Sequence, residues 1–340
     1  MFRNKKNYNI FFILLVMIAF SACKSKTAGN ENKQGGQDTT VVVNGDTTRV
    51  INYDSPTADE KIMLQFNPAP GTTFYVTNNT TYTAYQSIDS TDMHATSIKY
   101  VKVKVKIISR EENKTKMEFT VVDSRKTVKD DSSTIDYAYG KPMADKGDDL
   151  DRQIEDCLVN APLVITMTDD GVGTDIQGYD AIINKIKTLV KDQMGTDVPD
   201  EYIASQIGTP TDNLENFFIS YPDSAVKIGD TWHFSTKSVL QGVPITMTNH
   251  YVLADRKNGI AYINFNTEVE IDKSQMSPEV IKDMVNLKFS AYIKGTGEID
   301  EKTGWPMLMK ISQSLSVADI FQGHPSKSTN TSNGVLRSTM

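Results

Sequence analysis

The sequence predicts an α+β fold: mostly antiparallel β-sheet in two similar halves, with a few helices packed between or against the sheets. Three observations predict it. Apolar residues alternate with polar ones over long runs, which is the period of a half-buried strand. Two such runs flank a short polar turn twice, once in each half of the chain. Helical spacing of apolar residues is concentrated between the strand blocks, as in folds that segregate helix and sheet.

In the first half, Val101, Val103, Val105 and Ile107 alternate with Lys102, Lys104 and Lys106. Glu111-Glu112-Asn113-Lys114 reads as a turn, and Met117, Phe119 and Val121 then alternate with Lys116, Glu118 and Thr120. This is a hairpin signature. In the second half Ile245, Met247, Tyr251 and Leu253 alternate with Thr246, Thr248 and His250, and a turn spans Asp255 to Gly259. Ala261, Ile263, Phe265, Val269 and Ile271 continue the alternation. A glycine and an aromatic strand precede each hairpin: Gly71-Thr72-Thr73-Phe74-Tyr75 and Gly229-Asp230-Thr231-Trp232. A further β pair follows each, around Asp170-Gly171 and around Gly304. Recurrence of one design implies duplication. The first half is expected to carry a longer loop near Ser87 to Thr96.

Helical spacing appears at Tyr179, Ile182, Ile183, Ile186, Leu189 and Val190, and more briefly at Leu150, Ile154, Cys157 and Leu158. Three shorter helices are expected at Tyr202 to Ile207, at Leu214 to Ile219, and after Pro278 through Val280, Ile281 and Met284.

The N-terminus reads as an address. Arg3, Lys5 and Lys6 precede an uncharged apolar run from Ile10 to Phe20. That run is short of the ~20 residues that span a bilayer and fits a secretory signal. Ser21-Ala22-Cys23 follows and resembles the lipobox of bacterial lipoproteins. The resemblance implies cleavage before Cys23 and lipidation of its sulfur and new amine. It also implies an outer-membrane anchor facing the periplasm, because Lys24-Ser25-Lys26 offers no retention signal. The expected organisation is then a signal peptide at 1–22 and a lipidated cysteine with a disordered tether at 23–59. A duplicated β-rich body covers 60–322, and 323–340 forms a polar tail or a weak last strand.

Charge and composition exclude several classes. The 340 residues carry a formal charge of −7, which becomes −10 once Arg3, Lys5 and Lys6 are removed. No nucleic-acid partner is expected of an acidic chain without a basic run. For the same reason the anchor, and not surface charge, is expected to hold the protein at the membrane. Two cysteines and four histidines leave little for a disulfide scaffold or a zinc centre. Cys157 lies on an apolar stripe and reads as buried and inert. His94, His233, His250 and His324 show no metal-binding spacing. The acidic run from Asp145 to Asp156 lacks a calcium-loop pattern and reads as a solvated helix start. Gly171-Val172-Gly173 lies in a hairpin turn, not at a phosphate-binding strand-to-helix junction. No catalytic residue, cofactor site or metal site is assigned.

Tyr221-Pro222-Asp223-Ser224-Ala225-Val226-Lys227-Ile228-Gly229-Asp230-Thr231-Trp232 resembles a Pro…Val-Lys-x-Gly-Asp-x-Trp signature. That signature is found in bacterial lipoproteins whose domain has no assigned function. Phe66-Asn67-Pro68 with Gly71, and Thr166 to Val172 leading into Gly178-Tyr179-Asp180, match the same layout. The resemblance implies a lipoprotein body and no known activity. Trp232 is expected to start a strand with a large buried ring. The functional expectation is a non-enzymatic, membrane-anchored binding or structural protein of the envelope, with an envelope protein or an apolar ligand as partner. The alternatives are a carrier of lipid or another apolar ligand in a groove, and an enzyme of unrecognised type.

Overall fold

The computed structural model describes residues 59–340, apart from 89–90, 131–132, 140–149, 196–198, 200–202, 204–217, 241–242, 277–287 and 322–323. Twelve strands form a single antiparallel sheet. They are β1 (Thr73–Ile88), β2 (Thr91–Glu111), β3 (Lys114–Asp130), β4 (Thr134–Ala138), β5 (Pro162–Thr168), β6 (Gly173–Gln177), β7 (Thr231–Leu240), β8 (Val243–Lys257), β9 (Ile260–Ile271), β10 (Lys288–Asp300), β11 (Pro306–Phe321) and β12 (His324–Thr339). The order is β6-β5-β3-β2-β1-β12-β11-β10-β9-β8-β7, with β4 on β3.

This overturns the α+β expectation. Strands take 66% of the described residues and helices 11%, and there is one sheet with no helical layer between sheets. The two longer helices are α1 (Leu150–Asp156) and α2 (Tyr179–Met194), both where apolar spacing placed them. The expected helices at 202–207, 214–219 and 278–284 lie outside the described residues, save Ile203 and Phe218–Ile219. One further reading changes. The loop expected near Ser87 to Thr96 is mostly strand, because β2 begins at Thr91. Of the two expectations for 323–340, a polar tail or a weak last strand, the strand is what forms, and it is long: β12 has 16 residues and pairs with β1 on one side and β11 on the other. Its hydroxyl and amide side chains hid it from hydropathy, yet they suit the polar stretch of sheet that it joins.

The alternation in sequence becomes two faces. The inner face carries Phe74, Val76, Val103, Val105, Ile107, Met117 and Phe119 from the first half, all buried. It carries Tyr251, Leu253, Ala261, Ile263, Ile299 and Met309 from the second. These residues form one core with Ile182, Ile183, Ile186 and Val190 of α2 and with Leu64 and Phe66. The outer face carries Lys102, Lys104, Lys106, Lys116, Lys294, Lys310, Glu268 and Glu270. A strand facing lipid shows the reverse pattern, an outward apolar band.

The sheet curls, because elements from opposite ends of its order meet. Tyr221 donates its backbone N–H to Asp170 of the β5–β6 turn at 3.0 Å. The neighbouring Ser220 accepts from Trp232 Nε1 of β7 at 2.7 Å and donates to the Tyr251 hydroxyl of β8 at 3.4 Å. Phe66 plugs the same end. Its ring lies 5.1 Å from Phe218 and 5.8 Å from Trp305, and Trp305 stacks on Phe74 at 3.8 Å. Burial of such rings supplies much of the core's apolar area.

Two regions of the sheet repeat each other in detail. Gly71 donates to the Ile107 carbonyl at 2.9 Å, and Gly229 donates to that of Leu253 at 2.8 Å. Both glycines have positive φ, +83° and +90°, where a side chain is strained. A bulge follows Ile107 and another follows Leu253. Each is succeeded by an arginine, Arg110 or Arg256, and by a turn with a left-handed residue, Glu112 or Asn258. Arg110 binds the Phe66 carbonyl and Asp169; Arg256 binds the Glu60 carbonyl and Glu301. The strands β1, β2, β3, β5 and β6 thus correspond to β7, β8, β9, β10 and β11.

Candidate functional site

The correspondence identifies residues that break the pattern. Val103 of β2 lies opposite Val121 of β3 on the inner face. Counting from the matched bulges, the equivalent pair in the second half is Asn249 of β8 opposite Thr267 of β9. Asn249 is 2% exposed and Thr267 4%. Thr267 donates to Asn249 Oδ1, which fixes the amide so that Nδ2 is left as a donor. Nδ2 is buried without a hydrogen-bond partner, as is Oγ1 of Thr236 on neighbouring β7. Leaving such a group unpaired costs about 1–3 kcal/mol.

Asn249 and Thr267 start a line of direct cross-strand neighbours over the inner face that is polar at every place but Ile293. Thr267 faces Ile293, Ile293 faces Gln313, and Gln313 faces Ser332. Ser332 faces Tyr82, and Tyr82 faces Ser97. Ser332 is buried, and Ser97 Oγ is a further buried atom without a partner. The Tyr82 hydroxyl is pushed up to about 12, chiefly by burial.

The line divides the inner face. On its closed side, Trp232 stacks on Tyr251 at 5.4 Å, and Phe265 follows at 6.0 Å. Gly295 lies opposite Phe265, and a Cβ there would strike that ring and the Lys310 carbonyl. Burial also raises the Tyr221 and Tyr251 hydroxyls on this side. On the open side the halves diverge. The second half presents buried Ile245 and Met247 with Val269, Phe289 and Leu315 packed beside them as a separate apolar cluster. Across the sheet, the first half and β12 present Ala84, Asn330, Gln86 and Ser328 at the corresponding height. Chemically, the second half offers neutral hydrogen-bond donors beside an apolar strip whose outer members, Val269, Phe289 and Leu315, are half-buried.

The residues singled out from sequence fall elsewhere. Cys23 lies outside the described residues. Cys157 is buried, its Sγ donates to the Gln153 carbonyl at 3.3 Å, and burial pushes its thiol up. His233 and His250 face each other on the outer surface at 6.3 Å, with His250 Nε2 3.5 Å from Glu268. His94 lies against Tyr85. Among the described residues no three potential ligands converge on a metal position. Of the acidic run, Glu155 pairs with Lys99 at 3.0 Å and Asp156 approaches Arg152 at 3.8 Å. Asp145 and Asp148–Asp149 are outside the described residues. The Trp232 ring is only partly buried; the fully buried tryptophan is Trp305. In the signature segment, Val226 bridges Ile62, Lys227 pairs with Asp59 at 2.8 Å, and Asp230 accepts from the Lys227 amide. These contacts make the segment architectural.

Sequence reading missed Asn249 and Thr267. Aligning the two hairpins on Arg110 and Arg256 exposes them as the polar pair standing where valines stand.

No curated protein matches the chain. Among solved structures, it is similar to the COG4313 outer membrane channel from Pseudomonas putida F1 at 8% identity. That match covers 84% of this chain and 100% of that one, with a TM-score of 0.23. Pseudomonas aeruginosa OccK7 (OpdD) matches at 8% identity over 79% of this chain and 99% of that one, with a TM-score of 0.22. A DUF1329 family protein from Desulfovibrio piger ATCC 29098 matches at 6% identity over 78% and 83%, with a TM-score of 0.14. The family model for DUF6263, described as a family of unknown function, matches residues 98–306. That stretch is more than half of the chain and takes in both arginine-marked hairpins and the polar line from Asn249 to Ile293, so the protein belongs to the DUF6263 family.

Proposed function

We propose that this protein is a non-enzymatic, lipid-anchored binding protein of the envelope that holds an amphiphile on the inner face of its sheet. The observation that carries the reading is the replacement of a valine pair by Asn249 and Thr267, with Asn249 Nδ2 left buried and unpaired. Buried polar groups without partners are rare and call for a specific reason. A neutral acceptor, such as the carbonyl of an acyl ester or amide, satisfies Asn249 Nδ2 and the Thr236 hydroxyl. The chain attached to it lies along Val269, Phe289 and Leu315. Lipidation at Cys23 anchors the protein to the outer membrane on its periplasmic side, and residues 24–58 tether the body.

Native mass spectrometry of the 59–340 body tests the ligand, and acyl labelling of a Cys23→Ala variant tests the anchor. The expected results are a co-purified acyl species, lost in Asn249→Val, and loss of labelling and membrane fractionation in Cys23→Ala. A body that carries no ligand and takes up no fluorescent fatty acyl probe overturns the binding reading. Unchanged labelling of Cys23→Ala overturns the anchor.

A further inference from the structure

Net charge conceals how this protein's charge is arranged. The outer face of five adjacent strands, β10-β11-β12-β1-β2, carries Lys294, Lys310, Lys327, Arg337, Lys102, Lys104 and Lys106. They are spread over neighbouring register lines. Lys102 and Arg337 flank Thr77 on one, and Lys310 lies beside Val335 on the next. Among the described residues none of the seven forms an ion pair. The nearest counter-charges are Glu298 on β10, Asp92 and Glu111 near the ends of β2, Glu118 of β3 opposite Lys106, and Asp123 of β3 opposite Lys102, where it is engaged by Arg125 at 2.7 Å. Glu268 and Glu270 stand on β9, the next strand, with Glu268 opposite Tyr292, and Asp255 stands on β8; they bound the basic face on that side.

We infer that this basic outer face docks on an anionic phospholipid surface. Three features favour a lipid surface over an acidic protein. Six of the seven cations are lysines, which act as hydrated, flexible point charges and do not fix a partner's register as an arginine fork does. The charges are spread over a continuous sheet face, as suits mobile headgroups. Tyrosines stand among them, with Lys102 over the Tyr75 ring at 4.9 Å and Lys294 over Tyr292 at 5.7 Å. Such rings suit headgroup depth, with an apolar body and a polar tip. Composition alone predicts no such attraction, yet a chain of formal charge −7 presents a face of the opposite sign. Each cation close to an anionic bilayer multiplies partitioning by about fivefold, and the gain is screened within a Debye length.

The test is flotation of the 59–340 body with vesicles of phosphatidylcholine alone or with roughly a third phosphatidylglycerol, at low and high salt. Partitioning is expected to be at least tenfold higher on the anionic vesicles and to collapse at high salt. The variant Lys102→Glu, Lys104→Glu, Lys310→Glu, Arg337→Glu is expected to lose at least tenfold while keeping the wild-type melting curve. A second set, the same four residues to Gln, guards against failure of the first to fold. Equal partitioning on both vesicles, salt-insensitive binding or no binding overturns the inference. So does tighter binding to soluble polyglutamate than to anionic vesicles, which assigns the face to an acidic protein. The result stands apart from the amphiphile reading, because the basic face and the polar line lie on opposite faces of the sheet.

Discussion

Arg110 and Arg256 occupy equivalent places in the two hairpins, and each holds a carbonyl of the segment that enters the sheet. The valines at 103 and 121 and the polar pair at 249 and 267 are equivalent too, and they share nothing chemically. The contrast separates two kinds of constraint. At the closed end both halves keep one solution: bulge, arginine, left-handed turn, carboxylate. Packing that end requires it in each copy. At mid-height the first half keeps an apolar core pair, while the second puts two hydrogen-bonding side chains in the same environment. The matched geometry of the two halves serves as an internal control, and the proposed binding role rests on this difference.

The largest expected effect tests the closed end. Trp305→Ala removes a ring that is 2% exposed and stacked on Phe74, and is expected to cost about 3–5 kcal/mol in chemical denaturation. Trp232→Ala, at the position that Phe74 holds in the other half, is expected to cost less, about 1–3 kcal/mol, because its ring is partly exposed. Equal losses break the comparison. The arginines come next. Arg256 is 4% exposed in its side chain and paired with Glu301 at 2.9 Å, and burial of its charge is offset by Glu301 and Glu60. Arg256→Ala leaves Glu301 without that partner and is expected to cost about 3 kcal/mol. Arg110, at 18% exposure, is expected to cost about half of that in the same assay.

Alkali sharpens the contrast between the two sides of the polar line. Burial raises the hydroxyls of Tyr221 and Tyr251, and that of Tyr82 to about 12 from an ordinary value of 10.0. The folded protein therefore holds these protons more tightly than the unfolded chain. The stabilisation is complete below about pH 10 and is lost as pH rises through the folded-state values. Melting temperature is expected to be level from pH 8 to 9.5 and to fall above 10, and Tyr82→Phe should lessen the fall. A smaller effect, of opposite sign, is expected when the second half is given the first half's residues. Asn249→Val with Thr267→Val removes an unpaired buried donor and should raise stability by about 1 kcal/mol while abolishing acyl-probe uptake. Destabilisation would show that the pair serves packing. The smallest effect is expected from deleting 24–58, which should move the melting temperature of the body by no more than a degree or two.

The alternating hairpins, the turns, the recurrence of the halves and both longer helices were legible, because period-2 burial and helical spacing are written locally. The single sheet was not, because pairing of β1 with β12 joins Tyr75 to Thr339, and nothing near either residue encodes the partner. The α+β reading came from giving apolar helical stripes a layer of their own. Ile182, Ile183 and Ile186 instead pack into the curl of the sheet. Phe66 and Trp305 pair across the closed end through tertiary contact alone. The polar line was invisible for a related reason: it runs across strands, so its members are scattered from Tyr82 to Ser332.

Strand β12 has a consequence for how the molecule comes into being. The strand farthest along the described chain belongs between β1 and β11, in the middle of the sheet. Until it arrives, two half-sheets wait with open edges of 16 residues each, the kind of edge that invites pairing with another chain. Contacts spanning almost the whole body make this the slow step. Strand β12 is therefore a clasp. Truncation before His324 unfastens the halves from each other and leaves the edges of β1 and β11 exposed.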